Sequence, residues 1–229
     1  MKKTMAVVVM LAAALSLVSA KSSKKYSFTA GAHALAGVGF GTIDKTTEDN
    51  IKNTTGCSKI GIPLGAGLWI NFPLVQGLCI QPEVNYMYNM VQFTNKHDNS
   101  PLAANDYTSV LSYSSIDLGL MFTYKVQSIN FLVGPTFSFP ISDYNIDAKG
   151  TLYGIDASGK NSTTIATPVT IGFQAGANTN VRFGLGQIVA GARFMMDFTP
   201  VQHKVSDDKM EDLSKRMGVL AEVGYRFAL

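Results

Sequence analysis

The sequence predicts an all-β fold: an eight-stranded antiparallel transmembrane β-barrel of the up-and-down kind. Three observations predict it. Eight segments alternate apolar and polar residues with a period of two, the spacing at which successive side chains leave a strand on opposite faces. Each segment runs for about 11 to 15 residues, whereas strands of soluble domains average about 5 or 6 and a tilted strand needs about 9 to 11 to cross a bilayer. The connections between segments are short and long in strict turn, which gathers every long one at the same end.

The first twenty residues read as an export signal. Lys2 and Lys3 precede the apolar run "MAVVVMLAAALSLV", and "VSA" ends at Ala20 as a small-residue cleavage site. The rival reading is a membrane anchor, but about 14 apolar residues fall short of the roughly 20 that span a bilayer. No Cys follows the cleavage site, which disfavours a lipoprotein. Residues 1–20 are therefore expected to be removed, leaving 21–229 as the barrel domain. No later stretch is apolar for 18 residues or more, which excludes a helical membrane protein but says nothing against a barrel.

The segments follow in order. "YSFTAGAHALAGVGF" (26–40) opens the series. "KIGIPLGAGLWIN" (59–71) sets Ile60, Ile62, Leu64, Ala66, Leu68 and Ile70 against Gly61, Pro63, Gly65, Gly67, Trp69 and Asn71. "CIQPEVNYMYNM" (79–90) sets Ile80, Val84, Tyr86 and Tyr88 against Gln81, Glu83, Asn85 and Asn89. "YSSIDLGLMFTYK" (113–125), "INFLVGPTFSF" (129–139), "TPVTIGFQAGANTNVRF" (167–183), "QIVAGARFMMDF" (187–198) and "MGVLAEVGYRF" (217–227) repeat the pattern. Short links fall at Phe72 to Gln76, Lys125 to Ser128 and Phe183 to Gly186. Long polar links fall at Gly41 to Ser58, Thr94 to Thr108, Pro140 to Thr164 and Thr199 to Ser214.

Alternation alone does not say which face is inside, since a soluble barrel would put the apolar face inward. Three clues turn the apolar face outward, to lipid. The polar face is rich in Gly, which suits a crowded narrow interior. Aromatic residues of the apolar face gather near segment ends, at Tyr26, Phe28, Phe40, Tyr124, Phe137, Phe139, Phe194, Phe198, Tyr225 and Phe227, as in interfacial girdles. Lys and Arg are almost absent from the apolar face, where one would cost about 2–4 kcal/mol at mid-bilayer.

"GLCIQPEVNYMYNM", "SYSSIDLGLMFTYK" and "NFLVGPTFSF", with the closing "GVLAEVGYRF", resemble the PorT-type outer-membrane β-barrel family. OmpW- and OmpA-like barrels are more distant relatives in architecture. The resemblance implies an eight-stranded barrel in the cell outer membrane, of generally undefined function. It also implies a final strand whose terminal aromatic residue is read by the outer-membrane assembly machinery. Here Ala228 and Leu229 follow Phe227, so that feature is offset.

The inward charges are the candidate site. Glu83 and Asp117 stand seven to eight residues from a short turn, near mid-height. Arg193 stands at a similar height on the seventh segment, and Glu222 lies on the eighth, across the lumen from the third and fourth. A buried charge without a partner costs several kcal/mol, so a cluster of Glu83, Asp117, Arg193 and Glu222 is expected to plug the lumen structurally. The sharper alternative is a gated ion pore. Lys125, Arg182 and Arg226 fall at the short-turn rim, where they would meet solvent, lipid phosphate or a periplasmic polymer.

Other chemistry finds little support. The formal charge of +3 comes with no basic run interleaved with aromatics, so nucleic acid is excluded as a partner. His33 faces inward, while His97 and His203 lie in long links. No G-x-S-x-G accompanies them, so no enzyme is expected. No metal-ligand cluster and no cofactor site are expected. Cys57 and Cys79 stand about ten strand residues apart in height at roughly 3.3 Å each, beyond the reach of a disulfide, so both should be free thiols. "NTT" at Asn53 and "NST" at Asn161 are loop composition.

The functional expectation is an integral outer-membrane scaffold presenting four outside loops, adhesive or antigenic, with a lumen plugged by polar side chains. Its partners would be the lipid bilayer and outer-membrane lipids, the assembly machinery and an extracellular ligand held by the loops. The alternatives are a porin-like channel or transporter for small or hydrophobic solutes, and a lipocalin-like soluble carrier.

Overall fold

The computed structural model describes residues 28–39, 42–43, 58–95, 107–152, 155–206 and 209–228. Thirteen strands lie in the described residues, and no helix does. Eight of them form the barrel: β1 (Thr29–Gly39), β3 (Ser58–Val75), β4 (Leu78–Asn95), β5 (Tyr107–Val126), β6 (Ile129–Pro140), β9 (Thr170–Phe183), β10 (Gly186–Asp197) and β13 (Met217–Ala228). Each pairs antiparallel with its neighbours around the ring. The β4–β5 pairing and the β1–β13 pairing, from Thr29↔Ala228 to Gly39↔Gly218, close it. The expected signal segment 1–20 lies outside the described residues, as do Tyr26, Phe40, Asn53, Cys57 and His97.

Alternation decides the faces as expected. On β6, Asn130, Leu132, Gly134, Thr136 and Ser138 are buried while Ile129, Phe131, Val133, Phe137 and Phe139 are exposed. Phe131 is 50% exposed and Val219 53%, whereas Glu83 is 3% and Arg193 1% exposed. The greasy face therefore points outward and the lumen holds the charges, which excludes the lipocalin-like arrangement. Outward aromatics gather toward both ends. Tyr124, Phe131, Phe183 and Phe227 lie near the short turns; Tyr88, Phe139 and Phe198 lie toward the other end.

The short turns are tighter than the sequence suggests, with two residues each: Gln76-Gly77, Gln127-Ser128 and Gly184-Leu185. Each contains one residue of positive φ, at Gly77 (83°), Gln127 (53°) and Gly184 (59°), and at Gln127 and Gly184 it is the first turn residue, as in type II′ hairpins. Phe72 to Val75, expected in a link, continue β3.

The other end differs more from expectation. Three long links expected as loops carry strands of their own. β7 (Tyr144–Leu152) and β8 (Ile155–Thr163) form a hairpin in the third. β11 (Val201–Ser206) and β12 (Lys209–Lys215) form one in the fourth, and β12 adds β2 (Thr42–Ile43). β5 runs past the end of β6, and β7 takes over its edge from Ser112↔Asn145 to Tyr107↔Gly150. The physical reason is that a strand above the membrane meets water on its outer face. It needs the backbone ladder but no greasy face, so period-two hydrophobicity does not mark it.

Candidate functional site: the lumen

Room for large inward side chains comes from glycines on the adjacent strands. A Cβ on Gly31 would collide with Trp69, on Gly65 with Met87, on Gly67 with Asn85, on Gly119 with Glu83, on Gly176 with Arg193 and on Gly191 with Asn178. These pairs are cross-strand partners in the register. A narrow eight-stranded cylinder fills its interior with side chains, and here large and small alternate sideways around the wall.

The filling is layered. At mid-height Arg193 of β10 reaches across the lumen. Its Nη1 donates to Glu83 Oε1 and Oε2 of β4 at 2.8 and 2.9 Å, and its Nη2 donates to Glu222 Oε1 of β13 at 2.6 Å. β4 and β10 are diametrically opposed in the ring. His33 of β1 completes the layer, with Nδ1 2.8 Å from Glu222 Oε1 and Nε2 2.6 Å from Asn85 Oδ1. The Asn85 amide nitrogen donates to Glu83 at 3.4 Å, which turns its oxygen toward the ring. His33 Nδ1 also lies 3.3 Å from Arg193 Nη2, so the ring sits between the arginine and the two side-chain oxygens. Gln81 and Asn178 add donors to Glu83 Oε2 and Glu222 Oε2, both at 3.2 Å.

An apolar layer follows, made of Leu35, Met87, Met195 and Leu220. The next inward residues along β10 and at the head of β13 begin a second charged layer. Arg216 donates from Nε to Asp197 Oδ2 at 2.7 Å, from Nη2 to Asp197 Oδ1 at 3.1 Å and from Nη1 to Asp117 Oδ2 at 2.8 Å. Asp117 Oδ1 accepts from Ser115 at 2.8 Å and from Ser138. Above this layer Tyr113 stacks on Tyr144 of β7, ring centres 5.7 Å apart, with Val201 of β11 beside them. A cavity of 30 Å³ lies here, lined in part by Gly39, Gly61, Pro63, Asn89, Tyr113 and Arg216.

Of the four residues expected to cluster, three come together: Glu83, Arg193 and Glu222. Asp117 does not join their hydrogen-bond network and pairs with Arg216 instead. The split arises because Met87, Met195 and their apolar neighbours occupy the space between the two heights. Sequence reasoning missed Arg216, Asp197 and His33 as members. Asp197 and His33 were already on the polar face. Arg216 shares the even-numbered parity of Gly218, Leu220 and Glu222, so extending the alternation of β13 one residue upstream would have found it. The lumen is also less polar than expected, since Leu35, Trp69, Met87, Met121, Met195 and Leu220 are buried in it. Cys79 is a free thiol, and Cys57 lies outside the described residues.

Three solved structures resemble the chain. Neisserial surface protein A is 16% identical, with 88% of this chain and 97% of that one covered and a TM-score of 0.39. Ail of Yersinia pestis, in complex with the heparin analogue sucrose octasulfate, is 13% identical over 88% and 99%, TM-score 0.40. OprG of Pseudomonas aeruginosa is 9% identical over 88% and 95%, TM-score 0.46. No curated protein sequence matches the chain. Residues 22–203 match the family model described as outer membrane protein beta-barrel domain. A closed cylinder with a lipid-facing exterior is the form such a domain takes, and the chain belongs to that family and resides in the outer membrane.

Proposed function

We propose that the protein is a non-enzymatic scaffold of the outer membrane, of PorT type, whose sealed barrel holds up the long connections outside the cell. Residues 1–20 serve as its cleaved export signal and 21–229 as the barrel. The observation that carries this reading is the pair of struts across the lumen. Arg193 ties β10 to the opposite strand β4, and Arg216, at the head of β13, ties to the opposite strand β5. Both arginines are buried, and an apolar layer lies between them. A conducting path would have to break both layers, each worth several kcal/mol once its charges lose their partners. The same packing supports the structural role of Glu83, Asp117, Arg193 and Glu222. The non-enzymatic reading is supported by His33, whose nitrogens are both engaged by Glu222 and Asn85. The bilayer is the first partner; the assembly machinery and a ligand for the outer hairpins complete the proposal. Planar-bilayer recording of the purified protein tests it: electrical silence is expected, and reproducible unitary conductance overturns it.

One observation favours the alternative of a passage for small hydrophobic compounds. The β1–β3 pairing is interrupted between Ala36↔Leu64 and Gly39↔Gly61, where Pro63 has no N–H to give. The 30 Å³ cavity touches Gly39, Gly61 and Pro63 at this gap. A sideways exit there would pass apolar solutes without a through-channel. Uptake of a hydrophobic dye into proteoliposomes, abolished when cysteines at Gly39 and Gly61 are crosslinked, would move the assignment to transport.

A further inference from the structure

Arg226 is unlike the two buried arginines Arg193 and Arg216. Arg193 and Arg216 each grip two carboxylates. Arg226, near the short-turn end of β13, is paired with none among the described residues. Its guanidinium lies over the Trp69 ring, 5.0 Å from the centre. With the Asn180 amide in the orientation that satisfies its neighbours, the Asn180 oxygen accepts from Arg226 Nη1 at 2.8 Å and from Asn130 at 3.1 Å. Its Nε has no hydrogen-bond partner among the described residues. Arg193 also leaves Nε unpaired, but its charge is already neutralised.

The surroundings add to this imbalance. Arg182 of β9 and Arg226 both stand in register with Gln187 of β10, so two inward-parity arginines flank one glutamine at the same height. Lys125, next to the last residue of β5, stands at the same rim. The barrel strands carry four described carboxylates, Glu83, Asp117, Asp197 and Glu222, and all are held by Arg193 or Arg216. Asn71, the next inward residue after Trp69 on β3, is buried with an unpaired Oδ1.

We propose that this mouth of the barrel binds a small oxyanion that also carries a hydrogen-bond donor, with hydrogen phosphate the simplest example. A guanidinium with an unpaired nitrogen donates to oxyanions in a fixed geometry, and the Trp69 face holds it in place. A narrow, low-dielectric mouth lined by one sign of charge concentrates the opposite ion. The free Asn71 oxygen accepts the donor, which separates hydrogen phosphate from sulfate. Arg226 and Arg182 have inward parity, so a free anion or a slender phosphorylated chain reaches them more readily than a headgroup in the surrounding leaflet.

Trp69 is the chain's single tryptophan, so the wild-type protein reports on its own site. Mature barrel in maltoside micelles is titrated with inorganic phosphate at constant ionic strength, and Trp69 fluorescence is followed. A saturable change is expected, weaker with sulfate and absent with chloride. Arg226→Gln should weaken it about tenfold or more, the worth of a charge-assisted hydrogen bond. Arg182→Gln should weaken it less, and Lys149→Gln, on the outer hairpin, should leave it unchanged. Phosphatidylglycerol added to the micelles distinguishes the sources: displacement of phosphate assigns the site to headgroups, no displacement to free anions. A wild-type signal that follows ionic strength alone overturns the proposal without any variant having to fold. So does unaltered phosphate binding by a folded Arg226→Gln.

Discussion

The two charged layers of the lumen are built from the same chemistry and differ in balance and setting. The Arg193 layer has two carboxylates, an arginine and a histidine, all on regular strands near the middle of the barrel. The Arg216 layer has two carboxylates for one arginine, lies where β10 ends and β13 begins, and borders a cavity and the unpaired Tyr113 hydroxyl. The lesson is that depth sets the cost of an error. The first layer lies deep among regular strands, whereas Arg216 of the second stands at the strand ends beside a small cavity.

The largest effect should come from Arg193→Met. It strands Glu83 and Glu222 in the barrel centre and is expected to cost about 3–5 kcal/mol in urea unfolding from micelles. Arg216→Met should cost less, about 1.5–3 kcal/mol, because Asp117 keeps the hydroxyl donors of Ser115 and Ser138. Equal losses in the two variants would break the comparison. Gly67→Ala probes the wall beside the deep layer. Its methyl would run into the Asn85 amide that orients His33, and about 1–3 kcal/mol should be lost to overpacking. The smallest change is expected for Tyr113→Phe, which deletes a hydroxyl that has no partner. Its midpoint should match or slightly exceed that of the parent, and a clear loss would show that the upper layer is as tightly satisfied as the lower.

The same contrast explains what the sequence could say. Within the membrane, an outward residue must be greasy and its neighbour faces a lumen, so the parity of Glu83, Arg193 and Glu222 is written in every second letter. Mid-height followed from counting residues to a short turn, and opposition across the ring followed from strand order. Asp117 was expected beside Glu83 and Arg193, yet tilt and the bulk of Met87 and Met195 assign it to another arginine. Such packing depends on side-chain volumes on four strands at once, which no local pattern carries. Beyond the outer rim the signal fails for a simpler reason. The hairpin β7–β8 has water outside it, so "YNIDAKGTL" needs no apolar stripe to be a strand.

The pairing of β1 with β13 has a consequence for how the molecule comes into being. The contact between His33 and Glu222 joins positions 189 residues apart, and no ring exists until the last dozen residues, β13, have arrived. Every earlier intermediate exposes two raw strand edges, on β1 and on β10, each a template for aggregation. Bringing such distant segments together is intrinsically slow. A chain cut short by a premature stop would be left as an open, sticky ribbon rather than a smaller barrel. The cell therefore needs both a means of shielding the chain until its synthesis is complete and a surface on which its first and last strands can wait for each other.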